Sequence, residues 1–211
     1  MRKGICITIF LLAAASSIWC LPYIGIDTGL LFLVNDEAAG APNPVILQGL
    51  GATLPLINNN DEGFSLDASL LVFLCQYQWL NNRAIPADSE RPDTIGVVFV
   101  QLDIRSGILM KLTKELTFGA SLGPALVLPF PLFAYDNGAA YFNSMYTYFY
   151  TNLKFLYGEA ELLLRWAILK ELNLTFKLRA MYQLSALRDV LTVSRFNGMM
   201  FQGIISIEIR L

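Results

Sequence analysis

The chain has 211 residues, enough for one ordinary domain, and a formal net charge of -2 from 15 basic and 17 acidic residues. That balance excludes the basic footprint of a nucleic-acid-binding surface. The chain is 55% hydrophobic and only 15% charged, whereas a soluble domain carries about 25% charged residues.

The N-terminus reads as a cleavable secretory signal over residues 1–20. Arg2 and Lys3 are its basic start, Gly4 to Leu12 its apolar stretch, and Ala13, Ala14, Ala15, Ser16 and Ser17 the small residues before the cut. A retained membrane helix is the competing reading. Lipidation at Cys20 is a second alternative, and the bulky Trp19 before it counts against a lipid anchor. Once Cys20 is removed Cys75 stands alone, so residues 21–211 form a domain without an internal disulfide.

The rest of the chain alternates with period two, the signature of strands with one apolar and one polar face. The first predicted strand, Tyr23 to Val34, puts Ile24, Ile26, Leu30 and Phe32 opposite Tyr23, Gly25 and Asp27. Asn35 to Asn43 is a loop. The second, Val45 to Leu56, puts Ile46, Leu50, Ala52 and Leu54 on one face, with Gln48 as its exception and Gly49 and Gly51 on the other. Asn58 to Gly63 is a polar turn.

Phe64 to Leu80 is the third predicted strand, with Leu66, Leu70 and Val72 opposite Ser65, Asp67 and Ser69. A long loop, Asn81 to Thr94, precedes the fourth, Ile95 to Leu112, in which Val98, Val100 and Ile104 oppose Gln101, Asp103 and Arg105. Thr113 to Glu115 turns into the fifth, Leu116 to Leu128, where Pro124 predicts a local bulge or kink. The stretch from Leu116 to Tyr135 carries no charge and scores like a membrane helix, but its prolines and its alternation argue for a strand.

Pro129 to Asn152 is the longest predicted loop and is dense in aromatic residues. Leu153 to Leu169, Leu172 to Leu184 and Phe201 to Leu211 complete the strands, with a turn at Lys170 and Glu171 and a loop from Ser185 to Met199. The clearest alternation lies between Leu172 and Leu184. There Leu174, Phe176 and Leu178 oppose Thr175, Lys177 and Arg179.

Eight strands with alternating short and long connections predict an all-β fold, an eight-stranded antiparallel up-and-down transmembrane β-barrel. Lipid offers backbone groups no partner, so a spanning sheet must close on itself. The apolar faces then look outward. The polar faces bring Asp27, Asp67, Asp103, Glu159, Glu161 and Glu208 together with Arg105, Arg165, Lys177, Arg179 and Arg210 in the lumen, tolerable there only as pairs. A secreted sandwich or lipocalin-like barrel is the soluble alternative, with the faces reversed. A multi-helix membrane protein conflicts with the persistent period of two.

This pattern resembles the small outer-membrane barrels of the outer membrane protein W, A and X type. The resemblance spans the whole chain after the signal and rests on pattern. The terminal strand resembles the signal read by the barrel-assembly machinery, with Leu211 at the end, Ile209 two before it and Ser206 where glycine is preferred. It implies an outer-membrane location, external long loops, periplasmic termini, and contact with outer-membrane lipid and the assembly machinery. No cofactor is expected.

Enzymatic readings are weak. Barrel hydrolases and acyltransferases generally depend on histidine, and the chain has none. Glu159 and Glu161 are expected to be partners of Lys177 and Arg179 on the next strand instead of an acid–base pair. Three cysteines without histidine or CxxC spacing make no zinc site. The protein is therefore expected not to be an enzyme.

With the short turns placed at the bottom, the upper lumen is apolar. Its ligand candidates are Leu31, Leu33, Leu47, Leu71, Phe73, Tyr77, Trp79, Phe99, Phe155, Tyr157 and Met181. An apolar cup above a charged floor suits a small hydrophobic ligand, and the alternative is ordinary packing in a narrow barrel. In lumen character the chain looks most like the outer membrane protein W group. That resemblance implies passive uptake of small hydrophobic molecules and sideways release through the wall, which Pro55 and Pro124 would weaken. The competing function is a surface adhesin or anchor that binds through Tyr141, Tyr146, Tyr148 and Tyr150, against a plain aromatic girdle. A narrow porin ranks third.

Overall fold

The structure, a computed structural model, describes residues 22–34, 44–56, 62–87, 94–134, 136–187 and 199–211. The expected signal over 1–20, the loop 35–43 and all of the Asn58 to Gly63 turn before residue 62 lie outside them, as do residues 21, 57, 88–93, 135 and 188–198.

Nine strands are described: β1 (Tyr23–Leu33), β2 (Val45–Pro55), β3 (Gly63–Leu80), β4 (Arg83–Pro86), β5 (Thr94–Lys111), β6 (Leu116–Ala134), β7 (Leu156–Ala167), β8 (Leu172–Gln183) and β9 (Met199–Arg210). One helix, α1 (Phe142–Tyr150), lies between β6 and β7. All pairings are antiparallel. The order runs β2, β1, β9, β8, β7, β6, β5, β3, and β2 pairs with β3 to close the ring of eight. First and last strands meet with Tyr23 opposite Arg210. The start of β1 and the end of β9 therefore lie together, and Leu211 N–H donates to the Pro22 carbonyl at 3.0 Å.

The alternation resolves as expected. On β8, Phe176 and Leu178 are 45% and 66% exposed, whereas Lys177 and Arg179 between them are 5% and 2% exposed. Ile205 and Ile207 are outward on β9, and Ile24, Ile26 and Leu30 on β1. A soluble sheet would reverse these faces. An outer wall of leucine and isoleucine over a charged interior belongs in hydrocarbon. Gln48 does face outward, opposite Thr28 on β1.

The wall is uneven in height. β1, β2, β7, β8 and β9 have 11 or 12 residues, about the 9–11 a tilted strand needs to cross a bilayer. β3, β5 and β6 have 18 or 19 and rise beyond the others at the long-loop end. Short β2 leaves the upper edge of β3 open. β4 folds back to fill it, pairing Tyr77 with Pro86 and Leu80 with Arg83. Asn81 and Asn82 make that turn with φ of 52° and 60°, the left-handed pair a tight hairpin requires.

Besides β4, which lies within the predicted Asn81 to Thr94 loop, three expectations change. First, β6 continues to Ala134, so no loop begins at Pro129. β7 pairs with β6 only up to Leu156 opposite Leu126. Above that point β6 is an edge strand, where a proline lacking N–H does little harm. Second, Pro124 makes no bulge. Asp103 opposite Ala125 and Ser106 opposite Leu122 keep one register across it, and the shift occurs higher, between Gly96 and Val97. Third, much of the predicted aromatic loop is helical, as α1 and two short 3-10 turns.

Gly49 explains one close strand contact. A Cβ there would lie 2.0 Å from the Leu70 carbonyl oxygen. At Gly51 a Cβ would meet Asp27 Oδ2 at 2.8 Å and Lys177 Nζ at 3.2 Å, so this glycine makes room for an ion pair.

Candidate functional site: a charged plug beneath an aromatic cavity

Residues that face inward on successive strands stack into layers. The middle of the barrel holds the first ionic layer. Arg179 Nε bonds Glu161 Oε2 and lies 3.4 Å from Glu159 Oε1, and its Nη1 lies 3.4 Å from Asp103 Oδ2. Arg105 bridges Asp103, Glu159 and Glu161, the last at 3.3 Å. Ser69 donates to Asp103 at 2.6 Å.

A second layer lies nearer the short turns. Lys177 Nζ reaches Asp27 Oδ1 at 2.9 Å and Glu208 Oε1 at 3.3 Å. Arg165 Nε bonds Glu208 Oε2 at 2.7 Å, and its guanidinium covers the Tyr23 ring at 4.2 Å. Asp67 accepts from Ser65 Oγ at 3.2 Å, outside either ion-pair set.

The expected pairing is half corrected here. Glu159 and Glu161 pair with Arg179 and Arg105, while Lys177 goes elsewhere. Register gives the reason: Glu161 lies directly opposite Arg179, but Lys177 lies opposite Leu163 and turns the other way, to Glu208 on β9 and past it to Asp27 on β1. Arg210 sits half-buried at the rim, 5.6 Å from the Tyr23 ring, and is not within the layers.

Above the ions, Gln202 donates to Gln101 at 2.7 Å. Leu31, Leu47, Leu71, Phe73 and Met181 then form a packed apolar layer with Val97 and Ile204. Buried side chains therefore fill the lumen through both layers.

At the long-loop end the packing opens into a cavity of about 700 Å³. Every barrel strand except β2 contributes to its lining. Leu33, Tyr77, Trp79, Phe99 and Tyr157, all expected at the ligand site, line it. Leu31, Leu47, Leu71, Phe73 and Met181 lie beneath it, and Phe155 is half-buried against Tyr150, with ring centroids 6.0 Å apart.

Helix α1 is the part that sequence reasoning missed. It lies in the mouth, with Met145 and Phe149 buried. Phe149 meets Tyr77 edge-on at 5.2 Å and Phe99 at 5.8 Å, and Tyr148 meets Trp79 at 5.8 Å. The spacing of Phe142, Met145 and Phe149 is a helical face and was the available signal. Tyr141 and Tyr146 are exposed, and Tyr148 and Tyr150 are half-buried. Tyr150 Oη donates to the Pro129 carbonyl at 2.9 Å, tying the helix to the edge of β6 that β7 leaves open. Burial, with Tyr146 adding to it, raises this phenol above its ordinary range, so it remains a donor at neutral pH.

Arg83 and Lys154 also line the cavity, and no pattern in the sequence singles them out. Among the described residues no helix is long and apolar enough to cross a membrane, and no cluster of metal-binding side chains is found.

No family model and no curated protein matches the chain in sequence. Solved structures do match in fold. Neisserial surface protein A aligns with a TM-score of 0.54 at 8% identity, over 90% of this chain and 97% of its own. OprG, an outer membrane protein from Pseudomonas aeruginosa, aligns at 0.49 and 10% identity, over 91% and 97%. Ail, the attachment invasion locus protein of Yersinia pestis, aligns at 0.47 and 7% identity, over 90% and 97%. The first carries the fold comparison. Together with the closed ring and its apolar outer wall, it identifies this chain as a closed eight-stranded antiparallel β-barrel of the small outer-membrane type.

Proposed function

We propose that this barrel takes up small apolar molecules at its long-loop end and passes them sideways into the membrane. The observation that carries the reading is the cavity of about 700 Å³ above a filled lumen. Its size is within the roughly 300–1,000 Å³ of small-molecule sites. The packed layers beneath leave no room for a solute to continue along the axis, which argues against a porin. The side exit is between β6 and β7 above the Val127 N–H bond to the Phe155 carbonyl, where backbone pairing stops and the Tyr150 bond to Pro129 spans the opening. In this reading the long-loop end faces outside and both termini face the periplasm. The chemistry is non-covalent, and no residue is assigned a catalytic role.

The test is entry of an apolar fluorescent probe into liposomes with and without the barrel. Entry is expected to be several-fold faster with it, and slower again in Ala186→Trp, which fills the cavity from its rim. Equal entry with and without protein would reject the uptake reading.

The outward position of Tyr146 on α1 and of Tyr141 just before it favours a second reading, adhesion to a surface through this segment. Binding of cells or matrix that is unchanged in Tyr141→Ala with Tyr146→Ala would remove it.

A further inference from the structure

The outer wall carries one side chain that its surroundings do not explain. Gln48 on β2 faces outward and is exposed. Around it stand Ile46 and Leu50 on its own strand, Ile26 and Leu30 on β1, and Val72 opposite it on β3, all exposed. Its partner on β1, Thr28, supplies one hydroxyl. Among the described residues the Gln48 amide has no hydrogen-bond partner. Among the same residues, no other amide or charged side chain faces outward within the height that all eight strands share.

Depth makes this position costly. Thr28 is the sixth of the eleven residues of β1, so Gln48 opposite it stands at mid-height of that strand. With a rise of about 3.3 Å per residue and a tilt of about 45°, either end of the strand is on the order of 12 Å away along the barrel axis. That is further than a glutamine side chain reaches, so the amide cannot turn out to water. Hydrocarbon offers it neither donor nor acceptor, and an unmet polar group there is expensive. The Thr28 hydroxyl cannot meet two N–H donors and a carbonyl together.

A second copy of this chain meets the need directly. Two copies cross the membrane in the same sense and at the same depth, so a residue beside a twofold axis along the membrane normal faces itself. A carboxamide is both donor and acceptor, and two of them face to face exchange two N–H to carbonyl bonds. The wall beside Gln48 also permits close approach. Gly203 on β9 lies opposite Leu30, and a Cβ there would meet nothing within 4 Å, which leaves a recess for a partner's side chain.

We propose that the β1–β2 seam is the interface of a twofold dimer of this chain, with the two Gln48 amides bonded to each other at its centre. Four strands separate this seam from the β6–β7 seam in either direction, β2, β3, β5 and β6 one way and β1, β9, β8 and β7 the other. The dimer therefore leaves the β6–β7 seam facing lipid.

Sedimentation equilibrium in density-matched detergent micelles, over a range of protein-to-detergent ratios, measures the association. The parent is expected to pass from monomer to dimer as the ratio rises. Gln48→Leu keeps the wall apolar and is expected to weaken association about tenfold. Ser106→Leu, which removes an outward hydroxyl on β5, is expected to associate like the parent. In liposomes, Thr28→Cys keeps the amide and should be joined to its copy by a short bismaleimide, whereas Ser106→Cys should not. A parent that stays monomeric at every ratio, a Gln48→Leu variant that associates as well as the parent, or cross-linking at Ser106→Cys in place of Thr28→Cys overturns the dimer. The cavity reading stands in each case.

Discussion

The two halves of the lumen use the same alternation to opposite ends. In the plug, inward positions hold ions most of whose partners sit on other strands, adjacent ones or ones two or three places round the ring. In the cavity, inward positions hold rings that meet edge-on and leave space. Ion pairs sealed from water are costly to break one at a time, so the plug favours a single arrangement. Ring contacts are weaker and less exacting, about 0.5–1.5 kcal/mol beyond burial. The difference teaches that the plug fixes the barrel while the cavity is the adaptable part. Strand height follows the same division, since only β3, β5 and β6 extend well past the plug to build the cavity wall.

The largest expected effect comes from breaking the plug. Arg179→Met leaves Glu161, Glu159 and Asp103 with Arg105 as their remaining cation. Loss of one partner from a buried pair costs about 3–5 kcal/mol. Urea unfolding in lipid should show that loss. Adding Glu161→Met removes the strongest unmet charge and should recover part of it. If both variants unfold like the parent, the plug is not what fixes the barrel.

A smaller effect is expected in the cavity. Phe149→Ala removes a buried ring from α1, about 1.5–3 kcal/mol of apolar burial. The loss should appear as local opening of the helix, with the urea midpoint little moved. Cys75 reports it, because this buried thiol lies inward on β3 below Tyr77. Maleimide labelling followed by peptide mapping should be about tenfold faster at Cys75 in Phe149→Ala. An unchanged labelling rate, with a urea midpoint shifted as far as in Arg179→Met, would erase the distinction between the two regions.

The plug was more legible in the sequence than the cavity, for a physical reason. Strand alternation assigns Lys177 or Asp103 to a face whatever the neighbours do, so the identity of the inward ions followed from period two alone. Which ions pair depends on register and on reach past neighbouring strands. That is why Lys177 meets Asp27, 150 positions away. The cavity depends on α1, whose nine residues are mostly aromatic or polar and weak helix formers. Tertiary contacts to Tyr77 and Phe99 hold it. The upper part of β6 escaped notice because Pro129 and Pro131 read as breakers. The missing β7 partner that makes them harmless is visible only once the strands are paired.

The smallest expected effect tests the strain carried where α1 returns to the wall. Leu153 has φ of 56° and is 58% exposed. A side chain in the left-handed region costs about 1–3 kcal/mol. Glycine removes that cost but adds about 0.5–1 kcal/mol of lost chain entropy on folding, and little burial is forfeited at so exposed a site. Leu153→Gly should therefore hold α1 as firmly as the parent or slightly more so, with Cys75 labelling equal or slower. Leu153→Val places a β-branched side chain in the same conformation and should speed labelling. Faster labelling in the glycine variant than in the valine variant would mean that Leu153 contributes contacts and not strain. The junction would then belong with the firmly fixed part of the barrel.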